Sequence, residues 1–511
     1  MGLQALGKTE IYLQLIQKVL DKGKTAIMLV PEISLTPQMV DRFIARFGDV
    51  ISVLHSKLSI GERYDQWNKI KAGESKIVIG ARSAIFAPIS NLGTIIIDEE
   101  HDPSYKSDMT PRYHAKELAK YICKTKNVPI IYGSATPDIN TFYKSQIGEI
   151  ELLTLSTRAN ESNLPEVKIV DLREELVQGN RSMLSRELGE KIKNNIQNKH
   201  QTILFLNRRG FSTFVMCRDC GFTAKCKNCN ITLTYHANQG KLKCHYCGFE
   251  THNFNTCPKC SSKNIRYFGS GTQKLEDEIK KQYPEAKTIR MDIDTVTKKN
   301  SHEKILNTFK EENIDILIGT QMVVKGHHFP NVTLVGVIAA DGSLNIDDYR
   351  AGERTFQILT QVAGRAGREN LPGEVIIQTY NPDNFSIEYA SKQDYNLFYE
   401  QEINLRKYLK FPPFCDIIVF GINAKKEEDV KTTSEFFYKS LSKYNQDGFQ
   451  VFKPLPSPIN KIKNRYRWRM IIKCDFNNKI MNIIDETLQT YYKQNKSDTR
   501  VVIDVNPSSM M

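Results

Sequence analysis

The chain has 511 residues, 40% apolar and 25% charged, an ordinary globular balance with material for several domains of ~100–200 residues each. Lys plus Arg number 71 against 58 for Asp plus Glu, and the net charge of +13 favours a polyanionic partner. No apolar leader opens the sequence and no run of 18 apolar residues occurs, so neither secretion nor membrane spanning is expected.

Gly2-Leu3-Gln4-Ala5-Leu6-Gly7-Lys8-Thr9 satisfies the G-x-x-x-x-G-K-[ST] pattern. There, backbone amides between Gly2 and Gly7 cradle phosphates, Lys8 reaches the terminal phosphates, and the Thr9 hydroxyl meets Mg²⁺. Thr9 to Asp21 predicts a helix carrying Ile11, Leu13, Leu15, Ile16 and Leu20, and Thr25 to Val30 a buried strand. Only Met1 precedes Gly2, so no strand is expected to lead into the loop. Ala5 and Leu6 also stand where such a loop is usually small and glycine-rich.

Leu92 to Ile97 predicts a second buried strand, running into Asp98-Glu99-Glu100-His101. A carboxylate at that strand end can hold Mg²⁺, and the following Glu99 can orient an attacking water. The loop Gly133-Ser134-Ala135-Thr136-Pro137 ends a third strand with hydroxyls suited to sensing phosphate or nucleic acid.

Thr202 to Leu206 predicts a strand running into Asn207-Arg208-Arg209-Gly210. Eight of the eleven cysteines follow as four Cys-x-x-Cys pairs: Cys217/Cys220, Cys226/Cys229, Cys244/Cys247 and Cys257/Cys260. Two such pairs make a four-thiolate tetrahedral site with no position left for water, so eight thiolates make two structural zinc sites. The other cysteines, Cys123, Cys415 and Cys474, are lone, unlike a secreted disulfide scaffold, and a reducing cytoplasm is expected. Ile231, Leu233 and Tyr235 alternate with polar residues before a turn around Asn238–Gly240, a hairpin that would join the inner pairs. The outer pairs would then close a nested second site, although spacing alone leaves a sequential pairing open. Cations and aromatics mix within the insertion (Lys225, Lys227, Lys243; Phe222, Tyr246, Phe249), which suits single-stranded nucleic acid as well as a small core beside the metals.

Ile314 to Ile318 predicts a strand entering Gly319-Thr320-Gln321-Met322-Val323-Val324-Lys325-Gly326. Gln361-Val362-Ala363-Gly364-Arg365-Ala366-Gly367-Arg368 places two arginines three apart, at a helix start or within its first turns. Such arginines can reach an ATP γ-phosphate from a facing lobe. Asn460 to Arg469 alternates cations with Tyr466 and Trp468 like a strand, presenting one basic face to DNA, to an acidic tail, or to solvent.

The order GKT, DEEH, GSATP, GTQMVVKGHHFP, QVAGRAGR resembles a superfamily 2 helicase. Pro31 to Thr36, Gly80 to Ala84, Asp98 to Lys106, Arg112 to His114, the four-pair insertion and Pro456 to Ile459 resemble one family, the bacterial primosomal replication-restart helicases. The resemblance covers essentially the whole chain. It implies an α/β fold with two RecA-like P-loop lobes, a zinc-binding cysteine-rich insertion and an α+β C-terminal domain. The boundaries expected are 1–155 and 156–395 for the lobes, 214–262 for the insertion within the second, and 396–511 for the C-terminal domain. It implies an ATP-dependent 3′-to-5′ DNA helicase that recognises stalled forks, binds forked and single-stranded DNA, and restarts replication with single-stranded DNA-binding protein and other primosome components.

By the same resemblance Gly2, Gly7, Lys8 and Thr9 bind nucleotide, Asp98 and Glu99 hold Mg²⁺ and water, and Gln361 contacts the γ-phosphate side. Arg365 and Arg368 are the arginine fingers, and Tyr105 to Tyr113 is an aromatic-rich loop coupling DNA to hydrolysis. Cys217, Cys220, Cys257 and Cys260 share one zinc, and Cys226, Cys229, Cys244 and Cys247 the other. Relative to that family the chain lacks the N-terminal DNA-binding and winged-helix domains, so recognition of a fork 3′ end is expected to be absent. A zinc-stabilised DNA-binding or primosome scaffold with an impaired phosphate loop is the alternative, and an RNA helicase is disfavoured by the cysteine block.

Overall fold

The computed structural model describes residues 7–32, 37–155, 165–206, 214–236, 239–267, 271–292, 301–312, 314–320, 323, 329–367, 372–446, 448–494 and 498–510. The Gly7–Asp21 helix precedes a parallel sheet of β1 (Thr25–Leu29), β2 (Ile51–Leu54), β3 (Ile77–Gly80), β4 (Leu92–Asp98) and β5 (Ile130–Gly133). Its order is β2-β3-β1-β4-β5. All five residues of β1 and the first six of β4 are buried, as central strands covered on both faces must be. Two polar-to-apolar junctions are therefore forced to the strand ends, and Asp98 emerges at one of them.

The second lobe opens with β6 (Glu166–Asp171), which precedes β7 (Gln201–Phe205). The cysteine-rich insertion thus follows the second strand of this lobe in chain order, β7 being the strand expected over Thr202 to Leu206. β6 lies at the sheet edge, and its alternating EVKIVD composition gives it a weak buried-strand signal. The insertion contains β8 (Val215–Cys217), β9 (Thr234–His236), β10 (Lys241–Lys243), β11 (Glu250–His252) and β12 (Ile265–Tyr267). β8 pairs with β12, so entry and exit form one two-stranded stalk, and β9, β10 and β11 make the expected hairpin with a third strand added. The lobe resumes with β13 (Thr288–Met291), β14 (Ile316–Gly319), β15 (Val332–Val337) and β16 (Glu374–Thr379), giving a parallel sheet ordered β13-β14-β7-β15-β16-β6.

The C-terminal domain is an antiparallel sheet of β17 (Asp416–Ala424), β18 (Phe449–Val451), β19 (Leu455–Ile462), β20 (Arg465–Cys474) and β21 (Arg500–Val505). Period-two alternation divides its two faces. Ile418, Phe420, Ile422, Met470 and Ile472 pack with the Glu427–Leu441 and Asn478–Gln494 helices. Ile417 and Ile471 point the other way and share a core with Cys226, Leu242, Cys244 and Tyr246 of the insertion. The architecture is mixed α/β: two parallel-sheet RecA-like lobes, a cysteine-rich insertion, and an α+β terminal domain. Among the described residues no helix is long and apolar enough to cross a membrane.

The lobes are joined by buried groups. Ile139 and Phe142, from the helix after β5, lie in the same core cluster as Phe356 and Phe398 of the second lobe. The Ile139 amide donates to Glu353 at 2.9 Å, and the Tyr395 hydroxyl donates to the Pro137 carbonyl at 2.9 Å.

Candidate nucleotide site and metal centres

Lys8 sits in the first turn of the Gly7–Asp21 helix, beside the end of β4. Its Nζ lies 2.7 Å from Glu99 Oε1 and 3.6 Å from Asp98 Oδ1. Burial by itself lowers the Lys8 pKa, but the two carboxylates outweigh it and hold the ammonium above its usual range. Asp98 is pushed up by burial and pulled back by Lys8 and by the Tyr12 hydroxyl, which donates to Oδ1 at 2.9 Å. Tyr12 lies one helical turn after Lys8, on the same face. A Cβ at Gly133 would overlap that hydroxyl, so the end of β5 must be glycine for Tyr12 to reach Asp98.

Glu99 adopts a left-handed backbone (φ 45°), uncommon for a non-glycine residue, and this turns the chain sharply after Asp98. The third acid of the run does something else. Glu100 is buried and accepts from Lys116 at 2.6 Å, Thr141 at 2.9 Å and the Asp138 amide at 2.7 Å, so it is a structural anchor.

His101 connects the two lobes. Its Nδ1 lies 2.8 Å from Ser134 Oγ and its Nε2 lies 3.0 Å from Gln361 Nε2. With the Gln361 amide donating to Nε2, Nδ1 carries the proton and donates to Ser134. Gln361 belongs to the Ala351–Ala363 helix of the second lobe. Sequence reasoning gave roles to Lys8, Asp98, Glu99 and Gln361, and the fold gathers these four through His101. It missed Tyr12 and the bridging role of His101; only the spacing of Tyr12 from Lys8 offered a signal.

Arg365 lies just beyond the C-terminal end of the Ala351–Ala363 helix, not at a helix start. Gly364 caps that helix and Gly367 takes φ +63°, a conformation that ends helical continuation. Gly2 and Arg368 lie outside the described residues. Gly7 and Thr9 flank Lys8 at the helix start. The chemistry of the cluster suits a metal-bound triphosphate: one cation for phosphate oxygens, and two hard carboxylates for Mg²⁺.

The cysteines gather into the two nested sets expected. In each, Cys217/Cys220/Cys257/Cys260 and Cys226/Cys229/Cys244/Cys247, the Sγ atoms all lie within 4.8 Å of one another. Pairs such as Cys217–Cys260 (3.7 Å), Cys220–Cys257 (3.6 Å) and Cys226–Cys247 (3.5 Å) approach the ~3.8 Å edge of a tetrahedron built on ~2.3 Å Zn–S bonds. Both sets therefore fit zinc. All four pairs use one backbone device. The amides of Gly221, Asn230, Gly248 and Ser261 donate back to Cys217, Cys226, Cys244 and Cys257 respectively, over 2.8–3.0 Å. Each of those four residues has positive φ, between 54° and 77°. A small or Asx-type residue after the second cysteine was the signal for this turn.

The insertion is seated on its neighbours. The Tyr349 amide donates to the Tyr246 hydroxyl at 3.3 Å, and Arg469 Nη2 donates to the His245 carbonyl at 2.9 Å. A Cβ at Gly221 would strike the Tyr380 carbonyl. Tyr246 is buried, which assigns it to core packing instead of base stacking. Of the basic run before Cys474, Lys461 and Lys463 stay exposed, while Arg465 and Arg469 are engaged by the protein itself. Lys463 and Asn464 form a turn with positive φ between β19 and β20, Arg465 bonds Asn423 and Asp498, and Arg469 is buried.

Comparison with known proteins gives four family matches. They are DEAD/DEAH box helicase over residues 3–144, PriA DNA helicase Cys-rich region domain over 226–251, helicase conserved C-terminal domain over 255–370, and primosomal protein N C-terminal domain over 407–508. A replication restart protein PriA from Bacillus subtilis (strain 168) is 49% identical over the whole chain, which spans 64% of that relative. One from Synechocystis sp. is 42% identical, again over the whole chain and 62% of the relative. One from Haemophilus influenzae is 38% identical over the whole chain and 69% of the relative. The chain thus spans less than two thirds of the length of the first two relatives.

Proposed function

Since this chain belongs to the family of the replication restart protein PriA, we propose that it is an ATP-dependent DNA helicase that moves 3′ to 5′ and restarts replication at stalled forks by primosome assembly. The observation that carries this reading is the joint cluster of Lys8, Asp98 and Glu99, linked through His101 to Gln361 of the facing lobe.

In this reading Gly2, Gly7, Lys8 and Thr9 bind the nucleotide phosphates, and Lys8 exchanges its carboxylate partners for them. Asp98 would hold Mg²⁺, which when bound neutralises charge on the phosphate oxygens. Glu99, released by Lys8, orients the attacking water. Tyr12 keeps Asp98 oriented and favours its anionic form through its hydrogen bond. Gln361 reports from the second lobe to Ser134 through His101, and Arg365 and Arg368 act as arginine fingers when the lobes close. The two zinc ions are structural. Partners are forked and single-stranded DNA, single-stranded DNA-binding protein and other primosome components, and the setting is the cytoplasm, where the thiolate sets stay reduced.

The test is ATP hydrolysis by the whole chain with and without single-stranded or forked DNA, and unwinding of duplexes bearing a 3′ or a 5′ tail. DNA-stimulated hydrolysis that Lys8→Ala abolishes, with unwinding from 3′ tails, is expected. Tight DNA binding with no stimulated hydrolysis would reject the motor and leave a zinc-stabilised scaffold.

A further inference from the structure

Alternation along β20 puts Arg469, Ile471 and Lys473 on the face that meets the cysteine-rich insertion. Arg469 reaches the His245 carbonyl, and Ile471 enters the core shared with Cys226, Cys229 and Cys244. Lys473 stands opposite Ile417 in register and so shares that face. Its Nζ donates to the Leu409 carbonyl at 2.9 Å and sits 3.7 Å from the centroid of the Phe411 ring. Phe411 is itself wedged in place, stacked on Tyr349 of the second lobe at 4.8 Å and edge-on to Tyr246 of the insertion at 6.1 Å. A side chain that normally seeks water is thereby held between the C-terminal sheet and the insertion.

The partners of this ammonium are unusual. Burial lowers the Lys473 pKa, and among the described residues the charges that raise it again belong to Cys415, Cys229 and Cys247, with no carboxylate among them. Burial pushes the Cys415 thiol up to about 12, so that group is neutral. What remains is Cys229 and Cys247, one from each pair of the inner set. A divalent ion leaves half the charge of four thiolates uncompensated. Beside a core of Leu242, Tyr246 and Ile471 that residual charge is costly unless a cation answers it.

The other charges nearby do not serve this purpose. Asp347 of the second lobe faces Cys226, with Arg469 3.8 Å from it, so that lobe brings an acid to the inner set. Arg173 acts on Cys220 of the outer set, but its guanidinium is forked onto Asp171 at 2.6–2.9 Å and already neutralised there.

We propose that Lys473 is a positioning residue for the inner zinc site: its ammonium, delivered by the C-terminal sheet, offsets the negative charge of the metal-bound Cys226/Cys229/Cys244/Cys247 set, so that the C-terminal domain governs how tightly the insertion holds that ion. This rests on the assignment of both thiolate sets to zinc and is independent of the motor. Outer groups that tune a metal's ligands typically change its affinity about 10- to 100-fold.

The experiment uses the full chain in two backgrounds, Cys260→Ser, which keeps the inner ion, and Cys226→Ser, which keeps the outer one. Each is compared with its Lys473→Met, Lys473→Gln and Lys473→Arg forms. Zinc affinity is read by competition with a chromophoric chelator, and the sulfur-to-metal charge-transfer band is read after cobalt replaces zinc. For the inner ion, Lys473→Met and Lys473→Gln should each weaken binding about 10- to 100-fold, and Lys473→Arg should restore most of it. The band should move to longer wavelength in the two neutral variants, since sulfurs that lose a neighbouring cation give up electron density more readily. The outer ion should stay within about twofold throughout. Lys473→Gln keeps a donor for the Leu409 carbonyl, so a purely structural role would lower thermal stability at most and leave the band in place. An inner affinity within about twofold of its parent in Lys473→Gln, an unmoved band, or equal losses at both ions overturns the inference. A chain that holds no zinc before any substitution would sink the zinc reading together with it.

Discussion

The Arg406 guanidinium lies 2.6 Å from Glu353 Oε2, with only 2% and 3% of the two side chains exposed. Glu353 also accepts the Ile139 amide from the first lobe, while Arg406 binds Glu402 at 2.8 Å and the Pro412 carbonyl at 3.2 Å. This one network holds the first lobe, the second lobe and the lead into the C-terminal domain. Arg406→Met leaves two buried carboxylates without their cation. Urea unfolding followed by circular dichroism should show a loss of about 3–5 kcal/mol. A loss under about 1 kcal/mol would mean that water reaches the network.

Elemental analysis of the purified chain should give two zinc ions, and either Cys226→Ser or Cys260→Ser should lower the count to one. The two losses should differ in consequence. Cys226 and Cys244 lie in the core shared with Ile417 and Ile471, whereas Cys260 of the outer set is exposed. Cys226→Ser should therefore reduce thermal stability more than Cys260→Ser. Equal losses, or a single ion in the parent, would contradict this arrangement.

Tyr12→Phe removes the donor to Asp98 Oδ1 while keeping the ring against its neighbours. Without that bond the carboxylate is less stabilised as an anion, so its pKa rises further. The acid limb of the hydrolysis pH profile should move upward and the Mg²⁺ requirement should increase about three- to tenfold, a change of ~1 kcal/mol. A profile superimposable on the parent's would exclude the role given to Tyr12.

His114 caps the Ala115–Lys126 helix, its Nδ1 accepting the Lys116 amide at 3.2 Å. Burial lowers its pKa to about 3, Lys116, Lys106 and Arg82 add to this, and Asp138 opposes it. The folded-state pKa is thus below the unfolded value of 6.5, and the unfolded chain takes up the proton first. This group's contribution to stability is complete above about pH 6.5 and is lost as pH falls toward 3, at up to ~1.4 kcal/mol per pH unit. His114→Asn keeps a cap acceptor and removes the titration. Between pH 7 and pH 5 the parent should lose about 2 kcal/mol more than the variant. Parallel losses would show that His114 is protonated freely in the fold.

Much of the two-lobe fold was readable because its signals are local. Runs such as Thr25–Val30 and Leu92–Ile97 have no competing period, and the acids after them could only emerge at a strand end. Four Cys-x-x-Cys pairs specify their own geometry, and the Ile231–Tyr235 alternation already favoured the nested arrangement. The missed elements depend on partners far away in the chain. β6 is a half-polar edge strand whose identity needs β16 beside it. Arg469 reads as a DNA-facing cation until the His245 carbonyl is placed against it. Glu353 and Arg406 look like solvated helix charges, and Asp504 like a polar strand position, because nothing nearby in sequence tells them that they are buried.

The shared core between the insertion and the C-terminal sheet has a consequence in time. Residues 217–260 leave the ribosome well before Ile417, Val419 and Ile471, and domains fold as they emerge. An insertion that has taken up its metal by then would offer a template for the apolar face of the later sheet. In a cell short of zinc, the first casualty should be the solubility of a domain whose described residues belong to neither thiolate set.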